Sequence, residues 1–217
     1  MKISNIKNSL LVAALAIISL GSSAQAASIA VDNFSFESGL SAVGSDPKLN
    51  WVNFNGGWAT FGFGAPQVTN GSVAAYSNTP NNTLYQILDS HLIAEDSYSF
   101  QIDVGHSNGN AFLGLNLSLF AVNDTDPAIG LGNFVTTDPG NNSVYTFAVP
   151  INIGAGSAAI GRNFQLNMNS GNEAGGIQVT ADNVRADFTA VPEPSTYALA
   201  LGGVALLGYG MRRRRVA

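Results

Sequence analysis

Two runs of the chain, Ser97–Val104 and Ala111–Val122, alternate apolar and polar residues, and a period of two belongs to a β-strand with one buried face. Tyr98, Phe100, Ile102 and Val104 fall on one side of the first run, with Ser97, Ser99, Gln101 and Asp103 on the other. Leu113, Leu115, Leu117 and Leu119 repeat the pattern against Gly114, Asn116, Ser118 and Phe120. The same period recurs at Val144–Val149, Phe164–Met168 and Ile177–Phe188, and more weakly at Ile29–Phe34, Trp51–Phe54, Trp58–Phe63, Ser72–Tyr76 and Thr83–Leu88. Turn formers separate the runs, among them Asn55-Gly56-Gly57, Asn70-Gly71, Asn108-Gly109-Asn110 and Asp138-Pro139-Gly140. No long helical period appears outside the two ends of the chain. About ten short strands with one apolar face each predict an all-β, two-sheet β-sandwich.

The ends differ from this middle. Residues 1–26 have the layout of a signal peptide: Lys2 and Lys7, an apolar run from Leu10 to Leu20, then the small-x-small triplet Ala24-Gln25-Ala26. Signal peptidase is therefore an expected partner, with the mature chain starting near Ala27. At the other end, Pro192-Glu193-Pro194 is stiff and extended, because proline fixes its own φ and restricts the residue before it. An uncharged, largely apolar stretch follows from Thr196 to Met211, then Arg212, Arg213, Arg214 and Arg215. As a helix, 196–211 spans about 24 Å against a hydrocarbon core of about 30 Å, enough for a marginal transmembrane segment with the arginines on the cytoplasmic side.

The order of these three parts resembles the PEP-CTERM sorting signal of Gram-negative bacteria, also called the ice-binding protein C-terminal domain. The resemblance implies recognition by an exosortase, processing near Pro192-Glu193-Pro194, and a route through the inner membrane to the cell surface or beyond. It divides the chain into a signal peptide (1–26), a sandwich domain (27–190) and a sorting signal (191–217). The flat, threonine-rich face expected of an ice binder is not visible.

Charge and cysteine content narrow the function of the middle. Its basic residues are Lys48, Arg162 and Arg185, against 13 of the chain's 14 acids. Such a balance excludes a nucleic-acid footprint and leaves carboxylates available to a hard cation. The chain has no cysteine, so disulfides, thiolate metal sites and thiol catalysis are excluded.

Asn33-Phe34-Ser35-Phe36-Glu37-Ser38-Gly39 near the start and Ala181-Asp182-Asn183-Val184-Arg185 near the end resemble the opening and closing strands of carbohydrate-binding-module-like, galactose-binding-like jelly rolls. The resemblance implies a structural calcium held by Glu37 and Asp182. A glycan site needs an aromatic face with amides beside it. The candidates are Trp58, Trp51 and Tyr85, with Tyr76 as a further aromatic and Asn53, Asn55 and Gln86 nearby; the two tryptophans also suit a sandwich core. For catalysis, Gly-x-Ser-x-Gly, His-Glu-x-x-His and Gly-x-x-x-x-Gly-Lys-Ser/Thr are all missing, and nothing places His91 or His106 beside a nucleophile. The sequence thus predicts an exported, non-enzymatic surface or matrix protein associated with extracellular polysaccharide or biofilm. The alternative is a carbohydrate-binding module with a defined glycan ligand, and a third reading is a small glycoside-active enzyme.

Overall fold

A computed structural model describes residues 26–42, 44–62, 68–106, 109, 111–171, 178–190 and 202–203. The signal peptide before residue 26, the sorting motif, the terminal arginines and almost all of the apolar segment lie outside the described residues. Among those described, no helix is long and apolar enough to cross a membrane. Residues 26–189 form one compact unit.

That unit is an all-β jelly-roll sandwich. Its strands are β1 (Ala26–Ile29), β2 (Val52–Asn53), β3 (Trp58–Phe61), β4 (Ala74–Ser77), β5 (Thr83–Leu92), β6 (Asp96–His106), β7 (Leu115–Val122), β8 (Ile129–Val135), β9 (Ser143–Asn152), β10 (Asn163–Ser170) and β11 (Val179–Ala190). One sheet runs β3-β4-β11-β6-β9, with β1 also on β11; the other runs β2-β5-β10-β7-β8. All the strand pairings with assigned register are antiparallel.

The alternation places the core where the sequence puts it. Phe100, Ile102 and Val104 of β6, Leu115, Leu117 and Leu119 of β7, and Phe164, Leu166 and Met168 of β10 are buried. Phe164 locks the sheets together, edge-on to both Tyr98 and Phe100 of the opposite sheet at 4.7 and 4.9 Å between centroids.

Three local differences from the sequence reading have physical causes. β8 is an added strand: Gly130 and Gly132 interrupt its apolar pattern, and its register on β7 shifts between Leu119 and Phe120. A side chain at Gly132 would collide with the Phe134 ring. The expected Ile29–Phe34 strand stops at Ile29, because Asn33 and Phe36 take positive φ. The motif around them is a turn, closed by Phe36 N–H on the Asn33 carbonyl at 2.9 Å and by Asn33 Nδ2 on the Gly39 carbonyl at 2.7 Å. In β11, Val179 and Ala181 point inward, and then so do Val184 and Ala186. Two residues rather than one intervene, so the strand bulges at Asp182-Asn183, where Asn183 has φ 50°.

Truncating Phe100, which is fully buried, to alanine is expected to cost about 3–5 kcal/mol, whereas Val135→Ala on exposed β8 stays within about 0.5 kcal/mol. Urea unfolding midpoints test the contrast; equal losses would contradict this placement of the core.

Candidate functional site

The bulge turns two consecutive polar side chains of β11 toward the outer face of the six-stranded sheet. Asp182, 1 % exposed, accepts at Oδ2 from the Thr69 and Asn70 N–H groups at 2.7 and 2.8 Å, and at Oδ1 from the Asn183 N–H at 2.7 Å. Glu37 holds the other side of the same turn: its Oε1 accepts from the Ser72 and Val73 N–H groups, both at 2.7 Å, and Oε2 from the Ser72 hydroxyl at 2.9 Å. Gly71 sits between them at φ 81°, where any side chain would strike the Glu37 carboxylate. These two carboxylates are thus spent on the donors of one turn. Among the described residues no group of three or more His, Cys, Asp or Glu side chains converges, so a structural calcium at Glu37 and Asp182 would draw its remaining oxygens from backbone carbonyls and water.

Beside Asp182 lies Asp103 of β6, 6 % exposed. Its Oδ1 accepts from the Thr146 hydroxyl at 2.7 Å and Arg185 Nη2 at 3.0 Å, and its Oδ2 from the Thr69 hydroxyl at 2.7 Å and Asn183 Nδ2 at 2.9 Å. The Thr69 hydroxyl also stands 3.1 Å from Asp182 Oδ2. A hydroxyl has one proton to give. That proton therefore serves one carboxyl at a time or is shared between the two. Burial is the strongest single influence on Asp103 and pushes it up, but the bonds from Thr146, Thr69 and Asn183, together with Arg185, outweigh it and hold its carboxyl below the usual range. For Asp182 burial prevails over the N–H bonds and raises the carboxyl. Two neighbouring carboxyls pushed in opposite directions are the arrangement from which an acid and a base are made.

Arg185 connects this pair to a groove of about 310 Å³, walled by Ile29, Val31, Phe34, Val184 and Ala186 and bearing Arg185 and Asp187 at its polar side. Sequence reasoning missed Thr69, Asp103 and Arg185. Asp103 reads in the sequence as one more outward polar residue of an alternating strand, and only the loop folded over it makes it buried.

The nominated aromatics are placed differently. Trp51 is fully buried and packs against Phe36 at 5.5 Å. Trp58 is also in the core, its indole N–H on the Asn82 carbonyl at 3.1 Å. Neither offers a ring face to a sugar. Asn53 is bonded both ways to the Trp58 backbone, and Gln86, fully buried, both ways to that of Asp32. Tyr85 stands half-buried on the outer face of the five-stranded sheet, with exposed Phe54 edge-on at 6.3 Å. Across that face runs a relay over four strands: Thr83 Oγ1 donates to Asn169 Oδ1 at 2.7 Å, Asn169 Nδ2 to Ser118 Oγ at 3.1 Å, and Ser118 Oγ to Asn133 Oδ1 at 3.0 Å.

The HpiC1-like family, described as HpiC1 cyclase, matches residues 27–187. The chain belongs to this family. A PEP-CTERM protein-sorting motif matches residues 190–215, which marks an exported, membrane-transiting protein processed by an exosortase. No curated protein matches. The HpiC1-like domain superposes on the Stig cyclase Fisc from Fischerella sp. TAU, in complex with (3Z)-3-(1-methyl-2-pyrrolidinylidene)-3H-indole, with a TM-score of 0.62 and 18% identity over 77% of this chain and 100% of that one. It also resembles a CBM4 structure (TM-score 0.52, 12% identity, 74% and 100% covered) and the CBM22-1 xylan-binding domain of Paenibacillus barcinonensis Xyn10C (0.50, 12%, 79% and 100%). These likenesses establish the jelly roll. Membership in a family described by a cyclase overturns the expectation of a non-enzymatic protein. That expectation rested on missing motifs of hydrolases and phosphate binders, and paired carboxyls brought together by a bulge and a covering loop leave no such motif.

The opposite shifts of Asp103 and Asp182 carry opposite signs in stability. A lowered carboxyl contributes stability that is present above its unfolded pKa and lost as pH falls through the folded value; a raised one contributes below its unfolded pKa and loses it as pH rises through the folded value. Asp182→Asn removes the second contribution. The stability difference between wild type and this variant is therefore expected to favour wild type increasingly as pH falls toward the unfolded carboxyl value of about 3.9, read by thermal unfolding. A difference independent of pH would contradict the raised carboxyl.

Proposed function

We propose that this exported HpiC1-like domain closes a ring in a small, largely apolar molecule held in the groove beside Arg185. The observation that carries the reading is the split carboxyl pair standing directly behind the groove's polar wall, joined to it by the 3.0 Å bond from Arg185 to Asp103. An apolar cleft of a few hundred Å³ with few polar groups and perturbed carboxyls is the usual form of a small-molecule site. Phe34, 41 % exposed, supplies a face for a planar ring, and Arg185 fixes an acceptor atom of the ligand. Thr69 joins the raised Asp182 carboxyl to the lowered Asp103 carboxyl, and Arg185 ties that pair to the groove's polar wall. The family match supports ring closure as the reaction class. The compound bound by the Fischerella enzyme serves as a probe: calorimetric titration of the full chain is expected to give saturable binding that Phe34→Ala weakens about tenfold or more, some 1.4 kcal/mol. No saturable heat, or equal affinity in the variant, would overturn the reading.

The outer face of the five-stranded sheet favours a second reading. Its amide-and-hydroxyl relay and the Phe54–Tyr85 platform suit the hydroxyls and CH faces of a sugar chain. In this reading the sorting tail delivers the domain to extracellular polysaccharide, as in a biofilm matrix. Xylan cast in a native gel is the probe: it should retard the wild-type chain, and Asn169→Ala with Tyr85→Phe should restore mobility without affecting the groove ligand. Unretarded wild type removes this reading and leaves the first standing.

A further inference from the structure

At the opposite end of β6 from His106, three proton-bearing side chains meet over the short connection between β5 and β6. His91 comes from β5, and Asp96 and Tyr98 from the start of β6. Tyr98 is 2 % exposed and edge-on to Phe164, so its ring belongs to the core while its oxygen emerges at the polar end. The Ala94 N–H donates to that oxygen at 2.8 Å. The phenol's own proton finds no acceptor as near among the described residues: the Ala94 carbonyl lies at 3.4 Å, His91 Nε2 at 3.5 Å and Asp96 Oδ2 at 3.5 Å. His91 Nε2 and Asp96 Oδ2 are 4.0 Å apart.

These separations are long for direct hydrogen bonds between such groups and match the edges of a coordination polyhedron. A point equidistant from the corners of a triangle with sides 3.5, 3.5 and 4.0 Å lies about 2.1 Å from each, the bonding distance of a first-row transition ion to nitrogen or oxygen. The imidazole is held in orientation by Phe188, stacked on it at 4.0 Å and 24°. The His91 side chain is 23 % exposed, which leaves an opening through which an ion enters and where water completes its shell. A chain without cysteine can hold such an ion only through nitrogen and oxygen.

We propose that His91, Asp96 and Tyr98 form a transition-metal site that takes ferric iron. Carboxylate and phenolate supply two negative charges and hard oxygens, and imidazole is a common iron ligand. Binding replaces the O–H bond of Tyr98 by an oxygen–iron bond and releases one proton to solvent, with no change of oxidation state. Burial raises the free phenol, with the Ala94 N–H on that oxygen opposing it, so it is the iron's positive charge that forms the phenolate. The site is separate from the groove and from the amide face, so it stands or falls without them.

Titration of the full chain with ferric citrate is expected to produce a visible phenolate-to-iron charge-transfer band that saturates at one iron per chain. Tyr98→Phe keeps the ring packed against Phe164 and should abolish the band. His91→Gln, altered at a partly exposed position, should keep the fold and weaken iron binding about tenfold or more, the scale on which metal sites respond to lost support. No band in the wild-type chain, a band that survives Tyr98→Phe, or unchanged affinity in His91→Gln would overturn the proposal. Circular dichroism of each variant confirms that the sandwich is intact.

Discussion

Along one edge β11 is paired by two different strands, and much of the molecule follows from how the interruption between them is closed. Its first part, Val179–Ala181, pairs with β4, and its last part, Ala186–Thr189, with β1. Between them Val184 N–H reaches the Phe34 carbonyl at 2.9 Å, and the bulge sends Asp182 and Asn183 outward together. A carboxylate buried there is costly unless its oxygens are satisfied. Asp182 meets that cost by gathering the N–H groups of Thr69 and Asn70, and Glu37 gathers those of Ser72 and Val73 from the other side. The turn from Thr69 to Val73 is therefore folded over the sheet by charge-assisted bonds, in a chain that has no disulfide to do so.

Once the turn is in place, it alters the residues under it. Asp103 would be an ordinary solvent-facing carboxylate on an open strand. Covered, it needs four donors, and they come from three elements that only the fold assembles: Thr69 from the turn, Thr146 from β9, and Asn183 and Arg185 from β11. The structural clasp and the split carboxyl pair are thus the same set of atoms, which is why weakening one is expected to move the titration of the other.

The two-sheet architecture was legible because burial on one face imposes a strict period, and β6, β7 and β10 obey it residue by residue. Asn33, Glu37, Asp182 and Asn183 stood out as paired motifs at the two ends of the domain; the structure brings Glu37, Asp182 and Asn183 to the same turn, while Asn33 closes its own loop on Gly39. Other features were beyond the reach of periodicity. β8 is masked by two glycines. Tryptophans in a hairpin can face either way, and here the core takes both. A carboxyl pair joined through Thr69, Asp103 on one side and Asp182 on the other, has no spacing to recognise, because loop closure rather than local sequence brings its members within 3.1 Å of that hydroxyl.

Charge also limits what can occupy these sites. Arg162 is engaged with Asp126 at 3.2 Å, and Arg185 with Asp103 at 3.0 Å, so two of the three basic residues of the domain already serve internal partners. The remaining excess of carboxylates repels an anionic ligand over a Debye length of about 8–10 Å. A neutral ring in the Phe34 groove, an uncharged sugar chain on the amide face and a cation beside Asp96 all escape that repulsion. An acidic polysaccharide does not, and for such a chain the domain would have to supply basic groups, of which the sequence places six of nine in the two ends.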